Sequence, residues 1–537
     1  MYRLQDYKNA TTVLSKKEKI GQLFMPAAFI NDTEQEIQAL ESLIMENHVG
    51  GLCFFHSRAS AATNYEDNPP AGRAGKEVIN NEQSFKTLQN LVKRYQQKSK
   101  HRLLIAMDAE WGLAMRVENT PQYPYAITLG ALQDNADLIF QVGKNIAHDC
   151  KQAGIHYNLA PVTDINNNPN NPVIGYRSFG EDKTNVTEKS LAYVKGMQSE
   201  GVICSIKHFP GHGDTAVDSH LGLPIIEKSK EELLNNELFP FKELIKENVD
   251  SIMVGHLSVP SLARGQSISS SISKDIINGL LRNELGFKGV VISDALNMHA
   301  VSKNYPVKGK LEWLAFDAGN DILCFAEHIS EGIETIQINA TDTRIEEAFK
   351  RVWELKVKAF KAEVKIPKAL SKPDVLNREI AKNCITLCNG NKSNITALRK
   401  EGFLSISNIQ NTANLFVTSL KEHLNFKCIS ISEESINIIK SDIANEENIL
   451  LSLFPPQVKP TDNFGFTKSE IQFINELISS KNVVLYLFGN PYALRVFDYK
   501  NASAVVLAYQ EFTAFQKVAA AHFMGSVIAK GKLPVIL

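Results

Sequence analysis

Short, nearly continuous apolar runs recur along the first two thirds of the chain: GGLCFF, RLLIAMDAE, IHYNLAPVTDI, VICSIKHF, SIMVGHLSVP, GVVISDAL and NDILCF. Runs of this length, rich in Val, Ile and Leu and without polar alternation, suit strands covered on both faces, as in a parallel sheet. Between them lie amphipathic stretches with apolar residues at helical spacing, among them EQEIQALESLIMENH, NADLIFQVGKNIAHDCKQAG, SKEELLNNELFPFKELIKEN and SKDIINGLLRNELG. Strand, helix, strand repeated over about 300 residues predicts an α/β chain with a (β/α)8 TIM-type barrel, in preference to an open sheet.

The pattern changes once. The helical stretch TRIEEAFKRVWELKVKAFK is followed by AEVKIPKALSKPDVLN, a polar segment with Pro367 and Pro373 and little periodicity. The expected organisation is therefore a barrel over 1–361, a linker over 362–375 and a smaller α/β domain over 376–537. Its strands are expected at ITLCNG, FLSIS, FKCISI, ENILLSLF, NVVLYLFG and SAVVLAY.

Several barrel strands end in polar residues: Asp108 and Glu110, Asp164, Lys207 and His208, His256, and Asp294. In a parallel barrel the carboxyl ends of all strands share one rim, so residues far apart in sequence converge there. Any one of them could simply cap the next helix. Five strand ends of this kind are harder to assign to capping alone.

Charge narrows the ligand. Lys plus Arg (58) nearly cancels Asp plus Glu (59) and no long basic run occurs, so the electrostatic footprint of a nucleic-acid or anionic-membrane binder is missing. A neutral or weakly charged ligand fits better. No run of about 18 apolar residues occurs, and the amino-terminal MYRLQDYKNATTVLSKKEKIGQLF has no signal-type apolar core, so no membrane span and a cytoplasmic location are expected. The seven cysteines form no Cys-x-x-Cys pair; Cys53, Cys150, Cys204, Cys324 and Cys388 sit in apolar runs that read as buried strands.

The densest chemistry lies in KHFPGHGDTAVDSH, Lys207 to His220. Three readings are open: a metal cage, a phosphate cradle, or a mobile loop delivering an acid or base. Two glycines, Gly211 and Gly213, and Pro210 argue against the helix on which a His-x3-His zinc site is usually built, and no Gly-x4-Gly-Lys-Ser/Thr is present. No metal is expected. In the third reading Asp218, two residues before His220, holds one imidazole nitrogen while the other faces outward as a general acid near neutrality. A plainer alternative stands beside it, in which these side chains only satisfy turn backbone. Asp294, at the end of an apolar run, could serve as nucleophile, general base or electrostatic stabiliser. A carboxylate with a separate proton donor is the minimum apparatus for glycosidic cleavage.

Taken together and in this order, MDAEWGLAMR, NLAPVTDIN, VIGYRSFGED, KHFPGHGDTAVDSH, SIMVGHLSVP and VVISDALNMHAV resemble glycoside hydrolase family 3, in its β-N-acetylglucosaminidase branch. The resemblance covers roughly residues 15 to 360, and the GKLPVIL tail is similar to the family's second, α/β-sandwich domain. It implies a retaining exo-β-N-acetylglucosaminidase acting without cofactor on small carbohydrates such as peptidoglycan fragments or chitooligosaccharides. Asp294 would be the nucleophile, and His220 assisted by Asp218 the acid/base. Asp108, Arg116, Arg177, Lys207 and His208 would hold the terminal sugar. Phosphorolysis with the same residues, or a catalytically silent sugar-binding protein, are the alternatives. One departure is Trp111 before Gly112, where many relatives carry two glycines.

Overall fold

The computed structural model describes residues 4–58, 80–215, 222–361, 368–410, 413–431, 436, 439–440 and 443–537. Contacts divide the chain into two units: Met1–Tyr123, Ile139–Ile165 and Val186–Lys372 form the first, and Pro124–Leu138, Asn166–Asn185 and Pro373–Leu537 the second.

The first unit is built on parallel strands β1 (Phe24–Met25), β2 (Ala27–Phe29), β3 (Gly51–Phe55), β4 (Leu104–Met107), β5 (Tyr157–Asn158), β6 (Ile203–Phe209), β7 (Ser251–Val254), β8 (Val290–Ser293) and β9 (Leu323–Cys324). β2 to β8 lie side by side in sequence order. β1 pairs with β9, and Ile322 bridges Ile292 of β8. Since β1 and β2 are one strand interrupted at Pro26, which has no N–H to give the ladder, the hydrogen bonding closes into a TIM-type barrel. The seven apolar runs supply β3 to β9; β1 and β2 are the strand the hydrophobic pattern does not announce.

Every residue of β4, β6, β7 and β8 is buried, as expected of strands covered on both faces. Helices Glu34–Asn47 and Ala136–Ala153 occupy two of the amphipathic stretches. The first starts on a capping box, in which the Thr33 hydroxyl takes the Glu36 N–H and the Glu36 carboxylate takes the Thr33 N–H. Two stretches depart from a simple helix. SKEELLNNELFPFKELIKEN forms two helices, Lys230–Asn235 and Phe239–Lys246, broken where Asn236 leaves helical geometry ahead of Pro240. The segment Asp275–Glu284 winds with i→i+5 hydrogen bonds and ends where the Leu285 N–H reaches the Leu280 carbonyl. Cys53, Cys204 and Cys324 lie on strands as expected, whereas Cys150 lies in helix Ala136–Ala153 and Cys388 is only half-buried. An apolar run around Cys150 reads equally as a buried helix face.

Two buried charges tie the helices to the barrel at the end where its strands begin. Asp321, just before β9, receives Arg282 at 2.5 Å, Arg344 at 3.2 Å, Arg351 at 3.1 Å and the Val291 N–H at 3.1 Å. Burial alone would raise its carboxyl, but the three guanidiniums hold it below the usual value. Lys356, on helix Asp342–Lys361, is fully buried and, among the described residues, has a single acceptor, Gln22 Oε1 at 2.5 Å.

The second unit carries a six-stranded sheet in the order β10 (Thr386–Gly390), β15 (Ala504–Leu507), β14 (Asn482–Leu487), β13 (Asn448–Leu453), β11 (Leu404–Ser407) and β12 (Cys428–Ser430). Only β10 runs antiparallel. One face of the sheet packs Leu450, Val484 and Tyr486 against Phe416, Leu420 and Phe523 from its helices. The two early segments join this unit through long-range bonds: Tyr492 donates to Glu181 at 2.7 Å and accepts from Asn166 at 2.9 Å, and Gln510 donates to Thr128 at 2.7 Å.

Burial, with Arg102 nearby, pushes the Lys356 ammonium down from its ordinary 10.5 to about 7. The unfolded chain then binds the extra proton between those values, so folding stability rises with pH across that window. Lys356→Met should raise stability at pH 7 by about 1–3 kcal/mol, allowing for the Gln22 oxygen left unpaired. It should also flatten the pH dependence of the urea midpoint between pH 7 and 10. An unchanged midpoint and slope would count against a buried, readily neutralised lysine.

Candidate active site

The carboxyl ends of β4, β6 and β8 bring the expected groups to one mouth. Asp108 follows β4, Lys207 and His208 are near the end of β6, and Asp294 follows β8. Lys207 is only 2% exposed and donates to Asp108 Oδ1 at 2.6 Å and to Glu110 Oε1 at 2.8 Å. The other Asp108 oxygen takes Arg116 Nη2 at 3.1 Å, while the Arg116 guanidinium lies 4.1 Å from the centre of the Phe55 ring. Burial would raise the Asp108 carboxyl, yet Lys207 and Arg116 beside it hold it below its usual value. Glu110, Lys207, Asp108 and Arg116 thus form a chain of alternating charge. Arg116 makes no hydrogen bond through Nη1 among the described residues, so a donor remains for a ligand.

His208 is fixed from below. Its Nδ1 is 2.7 Å from Asp164 Oδ2, and Asp164 is completely buried. Asp164 Oδ1 also takes the His212 N–H at 2.7 Å and the His208 N–H at 3.1 Å. Burial pushes the His212 imidazole down to about 4, with the neighbouring His208 adding to the effect, so its ring is neutral near pH 7. Asp294 Oδ1 accepts the Ala295 N–H at 2.8 Å, and its negative charge is felt at His212. His256, buried at the end of β7, donates from Nε2 to the Ala295 carbonyl at 2.8 Å and accepts from Ser271 at Nδ1, so it steadies the backbone that carries Asp294.

Arg177 belongs to the second unit, on the turn Gly175–Arg177, where Nη1 donates to the Val173 carbonyl at 3.1 Å. Asp218 and His220 lie outside the described residues. Of the other potential metal ligands in that loop, Asp214 pairs with Lys228 at 2.7 Å and His212 Nδ1 meets the Thr215 hydroxyl at 2.8 Å. Among the described residues no three His, Cys, Asp or Glu side chains are disposed to share a metal ion. Gly112 has φ +105, and a Cβ there would meet the Pro121 carbonyl oxygen at 2.7 Å. The turn therefore needs the glycine that follows Trp111.

Glu110 and Asp164 stand at the rim in the sequence pattern without a part in the expected site, and His212 has no role there. The signal of Glu110 and Asp164 is present only as acidic residues at strand ends, a pattern shared with ordinary helix caps.

A mouth of this composition on a closed parallel barrel suits sugar hydroxyls, with carboxylates and cations arranged as paired acceptors and donors. The description "Glycosyl hydrolase family 3 N terminal domain" matches residues 15–355, and the chain belongs to that family. It is 37% identical over 263 residues to beta-hexosaminidase A of Pseudoalteromonas piscicida, a match covering 46% of this chain and 44% of that one. A beta-N-acetylglucosaminidase/beta-glucosidase of Cellulomonas fimi is 26% identical over 356 residues, covering 64% and 57%. The chain thus spans about half the length of these curated relatives. The solved family 3 beta-N-acetylglucosaminidase of Paenibacillus sp. str. FPU-7 superposes on 98% of this chain and 99% of its own, with TM-score 0.79 and 26% identity.

Asp108→Ala would leave Lys207 buried with one fewer counter-charge and should lower folding stability by roughly 3–5 kcal/mol. Adding Lys207→Met should recover part of that loss in urea unfolding. Simple additivity of the two substitutions would deny the coupling.

Proposed function

We propose that the chain is a retaining, exo-acting β-N-acetylglucosaminidase. The observation that carries the proposal is the convergence, at one mouth of a family 3 barrel, of Asp294 with the Asp108, Lys207, Arg116 and His208 group. The beta-hexosaminidase and beta-N-acetylglucosaminidase names of the relatives support the choice of sugar.

The terminal N-acetylglucosamine is held by Asp108, Arg116, Lys207 and His208, with Arg177 added on the family resemblance. One carboxylate oxygen of Asp294 attacks the anomeric carbon as the bond to the leaving oxygen breaks. The imidazolium of His220, paired with Asp218, gives that oxygen its proton. Water then attacks the same carbon, passes a proton to His220, and the Asp294 carboxylate departs. Peptidoglycan fragments and chitooligosaccharides both present such a terminus and are the proposed substrate class.

A panel of aryl β-glycosides tests the reading: the N-acetylglucosamine form should be cleaved in clear preference to the glucose form, with free sugar as product. Appearance of sugar 1-phosphate with phosphate-dependent release would instead assign phosphorolysis, and no turnover at all would leave a binding protein. Asp294→Ala should cut kcat on the order of 10^4-fold or more while sugar affinity stays measurable. A variant with wild-type rates would remove Asp294 from the mechanism. His220→Ala should slow glycosides with poor leaving groups by roughly 10^2- to 10^4-fold and activated aryl glycosides much less, because only the former need a delivered proton. Equal losses on both would make the loop histidine structural.

A further inference from the structure

One completely buried carboxylate near the mouth has no part in the chemistry above. Asp164, 0% exposed, accepts at Oδ1 from the N–H of His208 (3.1 Å) and of His212 (2.7 Å), and at Oδ2 from the His208 N–H (3.2 Å) and His208 Nδ1 (2.7 Å). Two of the three donors are backbone N–H groups, the His208 N–H being shared between both oxygens, and neither can accept, so the geometry suits an ionised carboxylate. Burial would raise the Asp164 carboxyl, but His208 and His212 hold it below its usual value. A contact of 2.7 Å between a carboxylate and an imidazole nitrogen needs one proton between them, and on an ionised Asp164 that proton belongs to Nδ1. The other ring nitrogen, Nε2, makes no hydrogen bond among the described residues, and the side chain keeps 7% of its exposure.

We propose that Asp164 is a positioning residue that locks His208 with Nδ1 protonated and directed inward, so that Nε2 is the atom offered to a sugar oxygen. The assignment of that ligand rests on the reading under Proposed function; the proton on Nδ1 does not. The same carboxylate binds the His212 N–H, so it fixes the backbone from 208 to 212 together with the ring. Truncating His208 and disturbing Asp164 should therefore damage one and the same interaction.

Asp164→Asn is the incisive change. Its amide oxygen can keep backbone N–H groups, but its N–H2 faces Nδ1 and favours a ring whose proton has moved to Nε2. Histidine ring 15N spectra, assigned with His208→Gln, should show Nδ1 protonated in the wild-type protein and bare in Asp164→Asn. For an aryl N-acetylglucosaminide, kcat/KM should fall roughly 10- to 100-fold in Asp164→Asn, and the substitution should cost little more when made in His208→Ala. A bare Nδ1 in the wild-type protein overturns the proposal, and the wild-type spectrum decides this even where Asp164→Asn does not fold. A full, undiminished cost of Asp164→Asn in the His208→Ala background also overturns it, by making Asp164 structural. Failure of the wild-type protein to turn over any aryl N-acetylglucosaminide would sink the proposed function, with the spectrum still deciding the proton.

Discussion

A lysine ammonium at the carboxyl end of β6, with 2% of its surface left to water, is the constraint on which the mouth of this barrel depends. Such a charge is stable only with close counter-charges, because removing it from water costs more than a single imperfect contact returns. Lys207 finds Asp108 and Glu110 after β4, two strands away in the ring. That pairing fixes how the β4 and β6 ends face each other. Asp108, drawn in by Lys207, then has its second oxygen available to anchor Arg116. Arg116 in turn lies over Phe55, at the end of β3. One ion pair thus orders the ends of three strands, and donors and acceptors suited to a sugar are the result.

Most of the fold is legible in hydrophobic spacing because the strands are buried on both faces. A segment such as VVIS or LIAM has no solvent side to alternate toward, so it stands out as an unbroken run. The same logic explains the strand that escapes notice. β1 and β2 offer two and three residues on either side of Pro26, and proline within a run argues against a central strand. Only closure of the ring reveals it, through contacts with β3 and β9. The affiliation of Pro124–Leu138 and Asn166–Asn185 with the second unit is hidden for a different reason. It is carried by hydrogen bonds between residues 326 and 382 positions apart, and no local pattern encodes a partner at that distance.

The candidate site is legible unevenly. Asp108, Lys207, His208 and Asp294 show themselves as polar residues ending apolar runs, and the barrel architecture supplies their convergence. Asp164 is harder to read, although it too ends such a run. A carboxylate that binds backbone N–H groups leaves the same trace in sequence as a helix cap, and here its partners lie 44 and 48 residues downstream. Glu110 is similar, since its value comes from Lys207 and not from its neighbours. His256 looks like a further candidate for substrate binding, but both ring nitrogens are occupied by the protein's own groups.

Hydrogen bonds and ion pairs also decide what the buried aspartates can do. A carboxylate that attacks carbon needs a lone pair not committed to a cation or a donor. Asp108 has one oxygen on Lys207 and the other on Arg116, and Asp164 carries two bonds on each oxygen. Asp321 is enclosed by three guanidiniums and stands at the opposite end of the barrel, just before β9. All three are held as anions below the usual carboxylate range because their neighbours use up the charge. That saturation suits them to orient other groups and makes each a poor nucleophile. Asp294, proposed above as the nucleophile, follows β8 on backbone steadied by His256. The orienting role of Asp108, Asp164 and Asp321 therefore follows from the donors that the surrounding strands and helices supply to each.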